Sequence, residues 1–167
     1  MGQHNADYLA VVMDERKPTF RHEMYPEYKA NRDKAPEDLH AQVPMIKETL
    51  CRMGVPVVSR EGFEADDMIA SLVALATEEG MHSVMVTADK DLMQLVSPSV
   101  SALRPPQKGG KEYRLYDAEE VRKEYGVRPD QIVDYLTIIG DKADNIPGIK
   151  GLGEKGAVKL LSEYETL

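Results

Sequence analysis

Eight acidic side chains are the residues of this 167-residue sequence best suited to chemistry, and their positions follow a pattern. They are Asp14, Glu64, Asp66, Asp67, Asp89, Asp91, Asp141 and Asp144. Three of the groups follow short apolar runs rich in β-branched residues, at 8–13, 55–58 and 83–87. Such runs predict parallel strands, and the ligand crevice of an open α/β sheet lies beyond the carboxyl ends of its strands. Carboxylates gathered there would repel each other unless divalent cations neutralised them, so the sequence predicts a Mg²⁺ or Mn²⁺ site.

Glu64, Asp66 and Asp67 have an alternative explanation, because an acid in the first turn of a helix gains roughly 0.3 to 1 kcal/mol from the helix dipole. Three acids within four residues also repel one another, and the dipole hardly offsets that repulsion, so the spacing favours metal ligation. Asp89 could likewise cap a helix, but Asp91 adds a second carboxylate at the same turn. The acids at 141 and 144 lie on one side of a turn. Together the groups offer two subsites of oxygen ligands. Two-metal enzymes use such an arrangement, in which one metal activates water and the other stabilises the leaving oxygen.

Apolar periodicity and turn residues predict the elements that position these acids. After the first strand we predict a basic, partly ordered loop at about 15–35, a helix at 39–53 kinked by Pro44, a strand at 55–58, a buried helix at 64–79, a strand at 83–87 and a short helix at 92–96. Segments 100–103 and 113–116 are predicted to pair around a turn at 105–110. Asp117 and Glu120 have capping-box spacing for a helix at 118–125, and Pro129 suits the first turn of another. The pattern indicates an α/β core at 1–116 and a helical region at 117–167.

The formal net charge of −8 argues against a nucleic acid partner, but the distribution of charge weakens that argument. Part of the excess belongs to the acidic groups themselves, which bound metals would offset. Basic residues are concentrated in two segments: Arg16, Lys17, Arg21, Lys29, Arg32 and Lys34 in one, and Lys142, Lys150, Lys155 and Lys159 in the other. Basic segments on both sides of a metal crevice suit a phosphodiester backbone, whereas the alternative is that they are solvated faces.

A glycine-rich string at 145–157, NIPGIKGLGEKGA, is the second informative feature. Gly148, Gly151 and Gly153 permit turns that expose backbone N–H groups, and a helix starting at Glu154 adds its positive end. The string therefore predicts a phosphate cradle, with a plain connection between helices as the alternative.

The composition indicates a soluble cytoplasmic protein. Hydrophobic residues make up 42% of the chain and charged residues 30%, and no apolar stretch approaches the roughly 18 residues that span a bilayer. No charged-then-apolar leader opens the sequence. Cys51 is the single cysteine, so it cannot form an internal disulfide, and its position on an amphipathic helix predicts a packed thiol.

Four motifs resemble those of the bacterial 5′ to 3′ exonuclease and flap endonuclease family, in particular the nuclease domain that precedes the polymerase module of DNA polymerase I. They are FEADD at 63–67, TADKDL at 87–92, GDKADNIPG at 140–148 and GLGEK at 151–155. The resemblance covers almost the whole chain, in order. It implies a PIN-like parallel α/β sheet flanked by helices, followed by a helix-hairpin-helix-like DNA-binding extension.

The same resemblance implies the ligands and cofactors of the site. Asp14, Glu64, Asp66 and Asp67 match ligands of a first metal cluster, and Asp89, Asp91, Asp141 and Asp144 match those of a second. The implied cofactors are two or more Mg²⁺ ions, for which Mn²⁺ can substitute, with K⁺ at the hairpin. The implied activity is two-metal hydrolysis of DNA at a 5′ end or 5′ flap, for replication and repair, in relatives that can carry a polymerase module.

DNA contacts are implied in two places. Segments 19–21 and 28–32 match the family's arch, which surrounds the 5′ single strand and contacts the scissile phosphate. Lys29 and Arg32 would stabilise charge there, Arg21 would contact DNA, and Phe20 or Tyr28 would stack on a base. In the hairpin, the residues implied to bind the duplex backbone are Gly148, Lys150, Gly151, Gly153 and Lys155.

One departure from the family keeps alternatives open. Family members carry an aspartate-bearing strand and a helix before the segment that begins here near Asp7, and residues 1–6 read as a start or cloning remnant. A catalytically impaired, structure-selective DNA-binding fragment is therefore the main alternative. A receiver-like Mg²⁺ domain or phosphatase is another, although it leaves the glycine-lysine hairpin and the basic segment unexplained.

Overall fold

The computed structural model describes residues 6–33, 35–106 and 110–167, which divide into two compact units, Met1–Met68 and Ile69–Leu167. We call these the first unit and the second unit. Lys34 of the predicted basic segment, residues 1–5 and the middle of the predicted turn at 105–110 lie outside the described residues.

The first unit is built around a short parallel strand pair. Strands β1 (Val11–Val12) and β2 (Val57–Val58) pair in parallel, with Val11 opposite Val57 and Val12 opposite Val58. Helix α1 (Phe20–Met24) and helix α2 (Glu37–Arg52) lie between them in sequence, and α3 (Ala65–Glu78) begins in this unit. The predicted loop at 15–35 is therefore partly helical. Thr19 is the extended N-cap of α1, and its N–H donates to the His22 ring.

Helix α2 forms as predicted, with Pro44 inside it and a left-handed Gly54 just after its end. Its apolar stripe is more exposed than the periodicity suggested, since Leu39 and Ile46 are 48% and 41% exposed. Cys51 is exposed, so the prediction of a packed thiol is wrong. Periodicity shows which face of a helix is apolar, but the area of the packing partner decides how much of that face is covered.

Helix α3 was predicted to be buried, and this is also corrected. None of the described residues of α3 is fully buried, and Leu75 is 58% exposed. Ile69 and Val73 nevertheless pack against the core of the second unit, so one face of the helix is used as the pattern predicted.

The second unit contains a three-stranded sheet. Strand β3 (Ser83–Val86) pairs in parallel with β4 (Val100–Arg104), and β4 pairs antiparallel with β5 (Arg114–Tyr116), which confirms the pairing predicted from the sequence. Helix α4 (Ala118–Tyr125) follows, capped by Asp117, whose side chain accepts a 2.9 Å hydrogen bond from the Glu120 N–H. The helix ends at Gly126 in the left-handed conformation, as C-terminal glycines commonly do.

The rest of the second unit is helical apart from one small hairpin. Short 3₁₀ helices span Asp91–Leu95 and Pro129–Gln131, and the latter leads into α5 (Ile132–Ile139). Strands β6 (Gly140–Asp141) and β7 (Ile146–Pro147) pair antiparallel, and α6 (Glu154–Tyr164) closes the chain. The buried Gln131 amide donates to the Leu161 and Glu165 carbonyls at 2.9 and 2.8 Å, which anchors the end of α6.

The two units differ in how much apolar surface they bury. Among the described residues of the first unit, Tyr28 and Val55 are the buried hydrophobic side chains. The second unit has a continuous core, whose largest fully buried members are Tyr116, Met93, Ile132, Ile138, Leu161 and Val121. Burial of each such aliphatic side chain contributes roughly 1.5 to 3 kcal/mol, so the second unit has the larger hydrophobic stabilisation. Within the described parts of the chain, we find no helix with the length and apolarity needed to cross a membrane.

Candidate metal centre

Three carboxylates of the second unit come together from different elements. Asp91 begins a 3₁₀ helix, Asp141 ends β6, and Asp144 lies in the turn before β7. One oxygen from each lies within 4.8 Å of the others, and the side chains of Asp141 and Asp144 are buried. The structure therefore brings together three of the four acids predicted for the second cluster.

The fourth acid, Asp89, organises the loop that carries Asp91. Its own N–H donates to the Thr87 hydroxyl at 3.0 Å, and its carboxylate accepts the Asp91 N–H at 3.0 Å. Asp89 thus closes a turn onto Asp91, whereas the N-cap position of the short helix is Lys90, and the Asp89 side chain remains exposed beside the cluster. The bond to Asp91 uses one of its carboxylate oxygens.

Burial and mutual repulsion act strongly on this cluster. Burial, together with repulsion from Asp89 and Asp141, raises the pKa of Asp91 to about 6. Burial also acts to raise the pKa of Asp141, but hydrogen bonds from Lys90 and from the Ala143 N–H outweigh it and lower that pKa. Within the described residues, the buried Oδ1 of Asp91 has no hydrogen-bond partner. A buried, unbonded oxygen beside two other carboxylates fits a divalent cation that prefers oxygen ligands, such as Mg²⁺ or Mn²⁺.

The acids of the first unit are arranged differently. Asp14 follows β1, and its carboxylate accepts the Ala65 N–H at 2.7 Å, at the start of α3. Glu64 is buried, and its backbone N–H donates to Asp67 at 2.9 Å. Asp66 is half-buried in the first turn of α3, and its place among the predicted ligands stays a prediction.

Basic side chains pair with two of the predicted ligands of the first unit, Glu64 and Asp67. Arg21 donates two parallel hydrogen bonds of 2.7 Å to Asp67, and Lys29 donates one of 2.7 Å to Glu64. The bond from Arg21 is the main cause that lowers the pKa of Asp67, and it raises the pKa of Arg21 in turn. The Tyr28 hydroxyl also donates to Glu64, at 2.9 Å.

These contacts revise the roles predicted for the basic segment. Tyr28 is 6% exposed, with His22 against its ring edge and Lys29 over its face, so the prediction that it stacks on a base is corrected. Its ring instead supports the hydroxyl that holds Glu64. Phe20 is 39% exposed, against Phe63, and retains the stacking prediction. Arg32 is exposed.

The glycine-rich string forms the predicted turn before α6. Gly148 lies so close to the preceding helix that a Cβ would be 2.3 Å from the Ile139 carbonyl carbon, so packing alone requires glycine there. Gly151 has a φ of +87°, and α6 begins at Glu154 as predicted. Lys150 and Lys155 are exposed on either side of this turn. The first-turn N–H groups of α6 lack intrahelical acceptors, as at any helix start, which suits an anion.

Sequence reasoning missed two features of the site. Lys90 pairs with Asp141 at 3.1 Å, and its position between two acidic residues was the available signal. Arg21 was assigned to DNA, whereas here it is the counter-ion of Asp67. No sequence spacing links these two positions, which are 46 residues apart.

Comparison with known protein families assigns both parts of the chain. Residues 1–126 match the sequence model of the 5′–3′ exonuclease N-terminal resolvase-like domain, and residues 127–167 match that of the 5′–3′ exonuclease C-terminal SAM fold. These matches confirm the predicted fold class and decide against the receiver-like alternative. The functional division predicted at residues 116 and 117 stays a prediction.

Curated relatives are DNA polymerases I. The chain is 43% identical to that of Chloroflexus aurantiacus over 169 residues and 41% identical to that of Bacillus caldotenax over 167 residues. Each comparison covers 100% of this chain but 18% and 19% of the relative. The chain therefore spans about a fifth of the length of the curated relatives it matches.

Solved structures support the same fold. The T5 5′-exonuclease with zinc ions bound matches with a TM-score of 0.78 and 29% identity, over 96% of this chain and 62% of that chain. The bacteriophage T5 flap endonuclease in a pseudo-enzyme-product complex with DNA and metal ions matches with a TM-score of 0.79 and 28% identity, over 97% and 62%. The catalytic core of Rad2 with DNA substrate, at 18% identity and a TM-score of 0.62, shares the fold over 93% of this chain and 48% of that chain.

Proposed function

The chain belongs to the 5′–3′ exonuclease family, and on that premise we propose that it is a structure-selective 5′ to 3′ exonuclease and 5′-flap endonuclease of DNA replication and repair. The observation that carries the proposal is the carboxylate cluster of the second unit, with the unbonded buried oxygen of Asp91. Such a cluster is costly in a folded protein unless a cation offsets its charge, so its presence favours a metal-dependent function.

Two sets of carboxylates would hold the metal ions. Asp89, Asp91, Asp141 and Asp144 would hold one ion, and Asp14, Glu64, Asp66 and Asp67 would hold the other. Bound Mg²⁺ or Mn²⁺ would supply Lewis-acid activation of water and charge neutralisation at the leaving oxygen. T5 relatives have been solved with divalent metal ions and with DNA, which supports the assignment of both ligands to this fold.

The basic residues of the first unit would position the phosphate. The Lys29 ammonium group donates a hydrogen bond to the Glu64 carboxylate, so a phosphate that approached this carboxylate would meet a positive charge beside it. Arg32 is exposed nearby in sequence and would add charge stabilisation, while Arg21 orients Asp67. Phe20 would stack on an unpaired base of the 5′ strand.

The glycine-rich turn before α6 would bind the phosphate backbone of duplex DNA and would not distinguish base sequences. Lys150 and Lys155 are exposed point charges beside the positive end of a helix of 11 residues. Such a surface binds phosphate oxygens rather than base edges. Gly148 would act indirectly, because its close packing against Ile139 sets the path of the hairpin. K⁺ at this hairpin is part of the proposal.

Cleavage of a labelled 5′-flap DNA by the purified chain tests the proposal, with Mg²⁺ or Mn²⁺ and with the Asp89→Asn variant in parallel. Asparagine keeps the oxygen that accepts the Asp91 N–H but removes the charge, so the variant should fold normally. We expect metal-dependent cutting that the variant loses while it still binds DNA. Undiminished cutting by the variant would refute the assignment, and DNA bound but left intact by the unaltered chain would favour the DNA-binding alternative.

A further inference from the structure

Arg104, at the end of β4, connects the loop of the metal centre to helix α4. One guanidinium nitrogen donates to Glu124 at 2.7 Å, and the other donates to the backbone carbonyl of Ala88 at 3.4 Å. The guanidinium carbon also lies 5.7 Å from the centre of the Tyr116 ring. The Arg104 side chain is 20% exposed, and its hydrogen bonds to Glu124 and Ala88 lie at the surface.

The Ala88 carbonyl belongs to the segment that presents the second carboxylate set. Residue 88 is followed directly by Asp89, whose carboxylate accepts the Asp91 N–H, and by Lys90, which pairs with Asp141. A displacement of the 88–89 peptide would therefore move the side chains of Asp89, Lys90 and Asp91 together. Three described side-chain hydrogen bonds hold the backbone of this segment from outside the cluster. The Thr87 hydroxyl accepts the Asp89 N–H, Gln94 donates to the Asp91 carbonyl at 2.8 Å, and Arg104 donates to the Ala88 carbonyl.

Arg104 is itself held in place from the opposite side. Its partner Glu124 also accepts a hydrogen bond from the Tyr116 hydroxyl and forms an ion pair with Arg114 at 2.8 Å. Tyr116 is 1% exposed and lies in the core. The chain of contacts thus runs from the packed core through Glu124 and Arg104 to Ala88. A planar guanidinium can serve two acceptors in fixed directions, which a lysine ammonium on a flexible stem does less well.

We propose that Arg104 is a positioning residue for the metal centre, which sets divalent-cation affinity by holding the Ala88 peptide and hence the Asp89 and Asp91 carboxylates. This inference rests on the proposed function of the cluster as a metal site. It extends that function to a side chain for which no bond to a carboxylate of the cluster is described. Outer contacts that orient metal ligands typically change metal affinity by about 10- to 100-fold when they are removed.

Arg114 provides a matched control within the same network. It also pairs with Glu124 and lies over the Tyr116 ring, at 4.9 Å, but its other described partner is Glu120. Replacing either arginine with glutamine removes one ion pair to Glu124 and one cation–π contact. Only the change at Arg104 removes the bond to Ala88, together with a 3.5 Å hydrogen bond to the Tyr116 hydroxyl.

The test measures Mn²⁺ binding to the whole chain through the electron paramagnetic resonance signal of free Mn²⁺. It compares the unaltered protein with the Arg104→Gln, Arg114→Gln and Asp91→Asn variants. We expect Arg104→Gln to raise the Mn²⁺ dissociation constant by at least about tenfold and Arg114→Gln to change it by less than about twofold. Equal dissociation constants for the two arginine variants would overturn the positioning role. If Asp91→Asn binds Mn²⁺ as well as the unaltered chain, the metal site itself is refuted, and the positioning role with it.

A conservative variant keeps the test decisive should Arg104→Gln fail to fold. Arg104→Lys retains the pair with Glu124 but cannot donate in two fixed directions, so we expect a dissociation constant between those of the unaltered chain and Asp91→Asn. Folded Arg104→Lys with unaltered Mn²⁺ affinity would overturn the proposal.

Discussion

The carboxylates of the first unit and those of the second unit are balanced by different means. In the first unit, Arg21 and Lys29 pair directly with Asp67 and Glu64. In the second unit, Lys90 pairs with Asp141, while Asp91 is surrounded by other carboxylates and has a raised pKa. Two acids of the first set, Glu64 and Asp67, are thus already paired with cations of the chain, whereas Asp91 of the second set faces other carboxylates whose charge a proton or a metal ion would offset. The lesson is that equal acidic motifs in a sequence do not imply equal readiness to bind metal.

The largest expected effect is on catalysis, and it tests whether the second set is indispensable. Asp91→Asn should reduce Mg²⁺-dependent cleavage of 5′-flap DNA by roughly 100- to 1000-fold, because a bound metal supplies several kcal/mol of transition-state stabilisation. Single-turnover cleavage with saturating enzyme measures this loss. Asp130→Asn, at an exposed acid paired with Arg128, is the control and should cleave normally. Full cleavage activity of the Asp91→Asn variant would show that the carboxylates of the second unit are not required for metal-dependent cleavage.

Metal-dependent stability sharpens the same contrast. Mn²⁺ at about 100 times its dissociation constant should stabilise the chain by about 2.7 kcal/mol, through preferential binding to the folded state. The gain should disappear in Asp144→Asn, in the second unit, and should persist in large part in Asp67→Asn, where the chain supplies its own cation. Thermal unfolding with and without Mn²⁺ measures the shift. A larger loss in the Asp67 variant would reverse the assignment of the tighter site.

Removing the internal cation of the first unit should destabilise the metal-free protein. Arg21→Gln breaks two charge-assisted bonds to Asp67, at a cost of about 1.5 to 3 kcal/mol. Urea unfolding in the presence of a chelator measures the change. Arg16→Gln removes one exposed bond to the His40 carbonyl and should cost less than about 1 kcal/mol. Similar costs for the two variants would show that the Arg21 pair contributes no more than a surface contact.

The smallest effect is a pH dependence that differs between the units. The pKa of Asp91 is raised in the folded chain from its ordinary 3.8 to about 6, so its contribution to stability is full below about pH 3.8 and is lost as pH rises through about 6. The pKa of Asp67 is lowered, so its contribution is present above about pH 3.8 and is lost on acidification. Asp91→Asn should therefore match the unaltered metal-free chain near pH 4 and exceed it at pH 7, by about 1 to 2 kcal/mol after solvent screening.

Urea unfolding of both proteins in chelator, at intervals from pH 4 to pH 7, checks this prediction. A difference between them that does not grow with pH would contradict the charge repulsion assigned to Asp91.

Much of the fold followed from local patterns. The 3.6-residue stripe predicted α2, the Asp117 and Glu120 spacing predicted the cap of α4, and the two apolar runs predicted the pairing of β4 with β5. The patterns did not predict burial, since Cys51 and much of α3 are more exposed than expected. Burial depends on what packs against a face, and that partner is distant in sequence.

By itself, the sequence determined the family, the order of the elements and the acidic residues that could serve as ligands. These depend on residue types and short spacings, which a linear chain displays directly. Only the tertiary structure decided which acids are paired with basic side chains and which repel one another. Arg21 and Asp67 are 46 residues apart and Arg104 and Ala88 are 16 apart, so their contacts exist only once the chain has folded. Electrostatic energy depends on distance through space and on burial, and neither is encoded in local spacing.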